Sequence, residues 1–359
     1  MGKLDNIREL GVKGWKVQLF GAWKVITGPD FNTMFNMSDG RTYTWGARFE
    51  DDPQFCPIGP LILDIEVSTI CNGSCSFCYK SNTSRGKNMT LDTFKEIFHK
   101  IPVNLTQIAF GIGALDANPD LWDIMRYCRE NDYNKVVPNI TINGIDFTST
   151  QADKLVEICG AVAVSHYSDN NCFRAVKMLS DRGLKQVNIH KLLCKETLDS
   201  CFTLIDDAKS DERLRGLNAI VFLLMKPKGK RNKFHQLTSL GEYRKLIDYA
   251  FDKDVSIGFD SCSAPSFLKA IKGRDNYDML EKVAEPCEST CFSAYIDVDG
   301  GVWPCSFCED HKDIKPLNIL DTDDFMDEVW NGEQYSNFRS KLLDGGACRE
   351  CPVFDLEMK

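Results

Sequence analysis

The chain reads as an α/β protein: a parallel sheet made of repeated strand–helix units, with a small β-hairpin extension before it and a cysteine-rich region after it. Three observations predict this. Apolar strand-like runs alternate with amphipathic helical stretches from Leu61 to about Asp260, aromatic runs broken by turn residues fill the first sixty positions, and cysteines crowd toward the C-terminus. The expected division is 1–60, 61–265 and 266–359, within a length of 359 residues that allows two or three units at roughly 150 residues each.

In the first unit, WKVQLF, AWKVITGPD and MSDGRTYTW are short alternating runs separated by Gly-Pro-Asp and Ser-Asp-Gly, the punctuation of β-hairpins. Such an extension can contact a substrate or cap the open edge of a larger sheet, and the cap is the expectation. In the second unit the strands expected are LILDIEV, TQIAFGI, VVPNITI, GAVAVS, QVNIHKLL and LNAIVFLL, with VSIGFD after them. Helices are expected at Leu91 to Lys100, Pro119 to Asn131, Ser149 to Ile158, Asn170 to Arg182, Asp199 to Lys209 and Leu240 to Lys253. Regular β-then-α order implies parallel strands joined by right-handed crossovers. The alternation alone describes a partial barrel or an open doubly wound sheet, and in either the C-terminal strand ends hold the ligands.

The formal charge of −9 and pI near 5.2 argue against a nucleic-acid partner, because phosphate contacts need a clustered basic surface. One basic run, Lys226 to Lys233, is expected to be a solvated loop, with an RNA or leader-peptide contact as the alternative. The opening MGKLDNIREL lacks a signal-peptide core, and the longest apolar run is about half of a membrane span. A cytoplasmic protein without membrane or lipid anchor is therefore expected. In such a reducing compartment, sixteen cysteines point to metal ligation rather than disulfides.

The stretch DIEVSTICNGSCSFCY sets Cys71, Cys75 and Cys78 in the spacing C-x3-C-x2-C directly after an apolar strand. Three thiolates can hold three irons of a 4Fe-4S cube and leave the fourth open, whereas electron-transfer clusters normally take four cysteines. The alternative is a zinc knuckle or three unrelated buried cysteines. With Phe77 in the aromatic slot and Tyr79 following, the segment resembles the cluster motif of radical S-adenosylmethionine (SAM) enzymes. The resemblance implies a partial (β/α)6 TIM-like barrel, SAM chelated by the open iron, and reductive cleavage of SAM to a 5'-deoxyadenosyl radical.

The same resemblance suggests further cofactor contacts. AFGIGALDANPDLW looks like the family's GGEP segment, with Ile112, Gly113 and Ala114 in its register and the Glu absent; Gly111 and Gly113 can still bring carbonyls close to an ammonium. Asp116 is the candidate for the missing charge. ITINGID resembles the TNG segment and points to Asn143. Ser165 and His166 fall where the family places ribose or carboxylate contacts, and Asn188 and His190 alternate on one strand face. For each of these polar residues a hydrogen-bonded structural role is the alternative. Cys262 ends the last strand-like run and is a candidate hydrogen-atom donor, with plain packing as its alternative.

The second cysteine group comprises Cys287, Cys291, Cys305, Cys308, Cys348 and Cys351. A hairpin about Asp299-Gly300-Gly301 returns Cys305 toward Cys287 or Cys291, and CRECP adds two thiols. This resembles the auxiliary-cluster region called SPASM, or its shortened form, twitch. The resemblance implies one auxiliary 4Fe-4S cluster held by Cys287, Cys305, Cys348 and Cys351, with Cys291 competing for the first place. A structural zinc held by Cys305, Cys308, Cys348 and Cys351 is the rival. Phe325, Val329, Trp330, Tyr335 and Phe338 are expected to pack the core of a helical pair.

Enzymes with this pairing of regions commonly modify peptides or proteins by crosslinking, epimerisation or oxidation. The resemblance therefore implies a peptide or protein substrate and an external electron donor such as a flavodoxin or ferredoxin. The alternatives are a small-molecule dehydrogenase and, in another class, a non-catalytic iron-sulfur or zinc scaffold.

Overall fold

Each strand expected between Leu61 and Asp260 forms, because each apolar run is short, β-branched and bounded by turn residues, and each is followed by a stretch with helical periodicity. The computed structural model describes residues 8–9, 14–73, 75–80, 82–344 and 349–359.

The N-terminal hairpins are a five-stranded antiparallel meander of β1 (Arg8–Glu9), β2 (Lys16–Phe20), β3 (Trp23–Thr27), β4 (Asn32–Asn36) and β5 (Thr42–Trp45). Alternation drives one face inward: Trp15, Val17, Ile26 and Phe31 are buried with Cys56, Ile58 and Leu61, and Val103 and Phe292 pack against them. These partners precede the barrel strands, so the meander covers the floor, at the N-terminal strand ends. Lys24 pins it there, donating to the carbonyls of Leu105 and Lys135 and to the Asn134 side chain. The expected edge cap is thus a floor plate in a sheet of its own.

The barrel strands are β6 (Ile62–Glu66), β7 (Gln107–Gly111), β8 (Val137–Ile142), β9 (Ala161–Ser165), β10 (Gln186–Leu193), β11 (Ala219–Leu224) and β12 (Ile257–Phe259), each parallel to its predecessor. They alternate with α1 (Leu91–Lys100), α2 (Leu121–Glu130), α3 (Ser149–Ile158), α4 (Asp169–Ser180), α5 (Leu198–Ser210) and α6 (Leu240–Asp252). The helices start where side-chain oxygens satisfy free N–H groups. Thr90 accepts from Thr93 N, Ser239 from Glu242 N, and Thr148 with Gln151 forms a reciprocal capping box. On β10 buried and half-exposed positions alternate without a break. Val187, Ile189 and Leu193 meet the helices, and Asn188, His190 and Leu192 face the hollow.

After α7 (Ala264–Ile271) and α8 (Tyr277–Lys282), the C-terminal region adds β13 (Ser293–Ile296), β14 (Gly301–Trp303), β15 (Leu317–Asn318) and α9 (Glu333–Asp344). The expected hairpin is β13–β14, closed through Gly300 at a φ of 87°. Unexpectedly, β13 runs parallel to β6, pairing Tyr295 with Asp64, so among the described residues ten strands form one sheet. Trp330 and Tyr335 are core residues as expected, and their polar atoms find Cys56 O at 2.9 Å and Trp303 O at 2.7 Å. Among the described residues no helix is long and apolar enough to cross a membrane.

Candidate functional site

The loop carrying Cys71, Cys75 and Cys78 leaves the C-terminal end of β6 and is closed at its base by backbone bonds. Thr69 N donates to Lys87 O at 3.0 Å and Cys71 N to Thr83 O at 2.9 Å. Glycines make room for the thiols. A Cβ on Gly73 would lie 3.2 Å from Cys71 Sγ and 3.7 Å from Cys75 Sγ, and one on Gly113 would lie 2.5 Å from Cys71 Cβ. Burial raises the Cys75 thiol, and its neighbours Cys78 and Cys71 raise it further. The three half-buried thiols lie within electrostatic reach of one another, and though among the described residues no three such side chains are already drawn together as metal ligands, three thiolates are the set that a cube of irons and sulfides with one open iron takes.

The predicted cofactor contacts divide by strand face. Gly113 lies against Cys71, and its carbonyl accepts from Asn143 Nδ2 at 2.9 Å. Gly111 is exposed at the end of β7, and its carbonyl accepts from Val67 N at 3.1 Å. Phe77 stacks between Tyr167 and Phe234, each with its ring centre 5.4 Å away. Tyr167 in turn touches Ser165 and lies within electrostatic reach of all three cysteines. These residues gather at one mouth.

Tyr79, His166 and Asn188 do not join them there, whereas His190 faces the hollow on their side. Tyr79 turns toward the C-terminal region, its ring 4.5 Å from Phe307 and its hydroxyl on Ser306. His166 points to the helix side, 3.0 Å from Lys191 Nζ and 2.9 Å from Asp169, and burial lowers it to about 4. Its place one residue past the inward-facing Ser165 puts it behind the sheet. Asn188 sits low in the hollow, accepting from Asn218 at 2.9 Å. His190 is level with Ser165, and burial lowers it to about 4 as well. Asp116 accepts from Gln151 Nε2 at 2.8 Å, which occupies one oxygen of the acid proposed for the missing Glu.

Two acids on β6 were passed over in reading the sequence. Asp64 opens onto the hollow but is walled in by protein, and that burial raises its carboxyl to about 6. Glu66 is buried and pairs with Lys80 at 3.0 Å; Lys80 also pairs with Glu309 and donates to Tyr295 Oη at 2.6 Å. The signal was present in LILDIEV, where two acids alternate within an otherwise apolar strand.

In the second group, Cys287 lies within electrostatic reach of Cys305 and Cys351, and burial pushes its thiol up to about 12. Cys305 and Cys308 are 3.5 Å apart, sulfur to sulfur. That contact lowers Cys305 to about 7 and raises Cys308. Cys291 is wholly buried beside Arg349 and Arg339, which leaves Cys287 the better placed of the two competitors. Cys262 is half-buried beside Lys226 and Asp260, within electrostatic reach of Cys287 and Cys305, and desolvation raises its thiol well above normal. Cys348 lies outside the described residues.

The basic run is only partly solvated: Lys230 and Lys233 are exposed, but the other cations turn inward. Lys226 is 4% exposed and ion-paired with Asp260. Lys228 Nζ donates to Ser306 O at 3.1 Å and Glu309 O at 2.8 Å, and Arg231 Nη2 to Asn82 O at 2.8 Å. The sequence hid this, because the partners of Lys226, Lys228 and Arg231 are a carboxylate and backbone carbonyls far away in the chain.

Residues 65–171 match the family model of the radical SAM superfamily, and residues 287–352 match that of an iron-sulfur cluster-binding domain, SPASM. No curated protein sequence matches the chain. Among solved structures, Streptococcus suis SuiB bound to precursor peptide SuiA aligns with a TM-score of 0.64 at 16% identity, over 79% of this chain and 67% of that one. SuiB bound to S-adenosylmethionine gives 0.63 at 16% identity, over 82% and 71%. Native anSMEcpe with bound AdoMet gives 0.57 at 18% identity, over 77% and 82%. At these identities the likeness is one of fold.

Proposed function

Because the chain belongs to the radical SAM superfamily and ends in a SPASM iron-sulfur region, we propose that it acts on a peptide or protein substrate. As a superfamily member it is an enzyme whose cofactors are 4Fe-4S clusters and SAM. The observation that carries the peptide reading is the position of the N-terminal meander, packed on the barrel floor through Trp15, Val17, Ile26 and Phe31. The mouth beside Cys71, Cys75 and Cys78 is therefore not shielded by these hairpins, and an extended chain can reach it. SuiB and anSMEcpe have both been solved with peptides bound, which adds support by analogy of fold alone.

When bound, the open-iron cluster and SAM supply a primary carbon radical that takes a hydrogen atom from an unactivated C–H bond. The chain's own part is to position and exclude. Cys71, Cys75 and Cys78 would hold the first cluster. Gly111, Gly113 and Asn143 would line the SAM side, and Phe77 packs against Tyr167 and Phe234 beside the cysteine loop. Asp64, raised to about 6, is the barrel group suited to take a substrate proton near neutral pH. Cys287, Cys305 and Cys351, with Cys348 from the sequence pattern, would hold an auxiliary 4Fe-4S cluster. Cys262 serves better beside these thiols than as a hydrogen donor. An external flavodoxin- or ferredoxin-like protein would supply the electron.

The test is anaerobic reaction of the reconstituted, reduced protein with SAM and a panel of Ser- and Cys-containing peptides alongside small alcohols. Peptides altered in mass together with 5'-deoxyadenosine release are expected. Oxidation of the alcohols alone would establish the dehydrogenase alternative, and absence of 5'-deoxyadenosine throughout would favour the non-catalytic scaffold.

A further inference from the structure

The segment from Lys226 to Phe234 is clamped onto both cysteine regions at once. Toward the first, Gly229 lies with φ +103° so close to the loop that a Cβ would meet Cys78 O at 2.2 Å and Tyr79 Cα at 2.9 Å. Lys233 N donates to Ser76 O at 2.9 Å, and Phe234 stacks on Phe77. Arg231 holds Asn82 O, on the loop's return limb. Toward the second, Lys228 binds the carbonyls of Ser306 and Glu309, on either side of Cys308. Lys226 sits 4.8 Å over the Phe307 ring. The two cysteine loops also touch directly, through Tyr79 with Phe307 and Lys80 with Glu309.

These contacts are asymmetric in what fixes them. The carbonyls held by Lys228 belong to the loop that carries Cys305 and Cys308, whose thiols would have to lose their protons and close around an auxiliary cluster for it to bind. The first cysteine loop is half-exposed, and the strap is one of the elements that hold its middle: Lys233 and Phe234 fix Ser76 and Phe77 from one side, while Tyr167 and Phe307 pack on Phe77 and Tyr79 from others. We propose that this strap, with Lys228 and Gly229 as positioning residues, makes SAM binding at the first cysteine loop depend on an occupied auxiliary site. The proposal rests on the radical SAM reading above and adds a coupling that neither cysteine motif contains.

Full-length protein reconstituted anaerobically, with iron and sulfide counted and the reduced cluster followed by EPR during a SAM titration, tests it. Lys228→Met and Gly229→Ala are expected to keep wild-type iron content while the SAM concentration for the half-maximal spectral change rises about tenfold, the lower end of what supporting contacts around metal sites carry. Lys228→Arg, which keeps a long cationic donor, should restore the titration. Cys305→Ala should lose the auxiliary iron and also the SAM response, although all three first-site cysteines are intact. Wild-type titrations for both strap variants, or an undiminished SAM response in Cys305→Ala, would overturn the coupling. A wild-type protein without any SAM response would instead overturn the radical SAM reading itself.

Discussion

Cys71, Cys75 and Cys78 stand on a loop whose intervening residues Asn72, Gly73 and Ser76 are exposed, whereas Cys287, Cys305 and Cys308 are set among buried Ser289, Thr290, Cys291 and Trp303. The surroundings differ in kind as well. Glycine backbones and exposed loop residues flank the first trio beside the rings of Phe77, Tyr167 and Phe234, while the second group lies against Trp303, Phe338 and Lys226. Proteins build an accessible thiolate site where something must enter and an enclosed one where a cluster must be kept from solvent. On the function proposed above, the contrast suits ligand binding at the first site and a closed structural or electron-accepting role at the second.

The largest effect that sharpens this contrast should come from Cys75→Ala. 5'-Deoxyadenosine production should fall to background, and iron analysis should still find the auxiliary complement. Next is Lys80→Met, which removes the cation between buried Glu66 and half-buried Glu309 at the seam of the two regions. Leaving the buried Glu66 carboxylate without it should destabilise the protein by about 3–5 kcal/mol, read by urea denaturation. A loss below about 1 kcal/mol would show that the seam is solvated and the regions are independent.

Gly113→Ala should act on one side only. Its Cβ would fall 2.5 Å from Cys71 Cβ and 2.8 Å from Ile70 O, so SAM affinity should drop about 10- to 100-fold with auxiliary iron unchanged. Equal loss at both sites would break the comparison.

The smallest effect concerns the floor plate. Burial lowers Lys24 from 10.5 to about 7. Between those values the unfolded chain binds more protons than the folded one, so stability should rise as pH increases from about 7 toward 10.5. Lys24→Met should flatten that rise in thermal melts between pH 7.5 and 9.5, values chosen to lie roughly within this window. An unchanged slope would place the Lys24 amine in water.

The barrel strands and the cysteine motifs were legible because both are written locally, whereas the strand order was not, since the alternation fits a barrel and an open doubly wound sheet alike. Period-two apolar runs announce β6 to β12, and C-x3-C-x2-C needs no distant residue to be read. What was not legible depends on contacts between segments far apart in sequence. His166 and Ser165 are adjacent, yet the alternation of a strand sends one to the helices and the other to the hollow. The basic run looked solvated because its partners, Cys78, Ser306 and Glu309, lie about 80 to 150 positions away. The hairpins of residues 14–45 were read correctly as hairpins but expected to cap a sheet edge, whereas they pack beneath the barrel. Only the packing of Trp15 and Lys24 reveals the floor, and β13 already occupies the free side of β6.

The open first site is tested most directly by EPR of the anaerobically reduced protein with and without SAM. A change in the cluster signal on adding SAM, lost in Cys75→Ala, is the predicted result. A reduced cluster whose spectrum is indifferent to saturating SAM would contradict it.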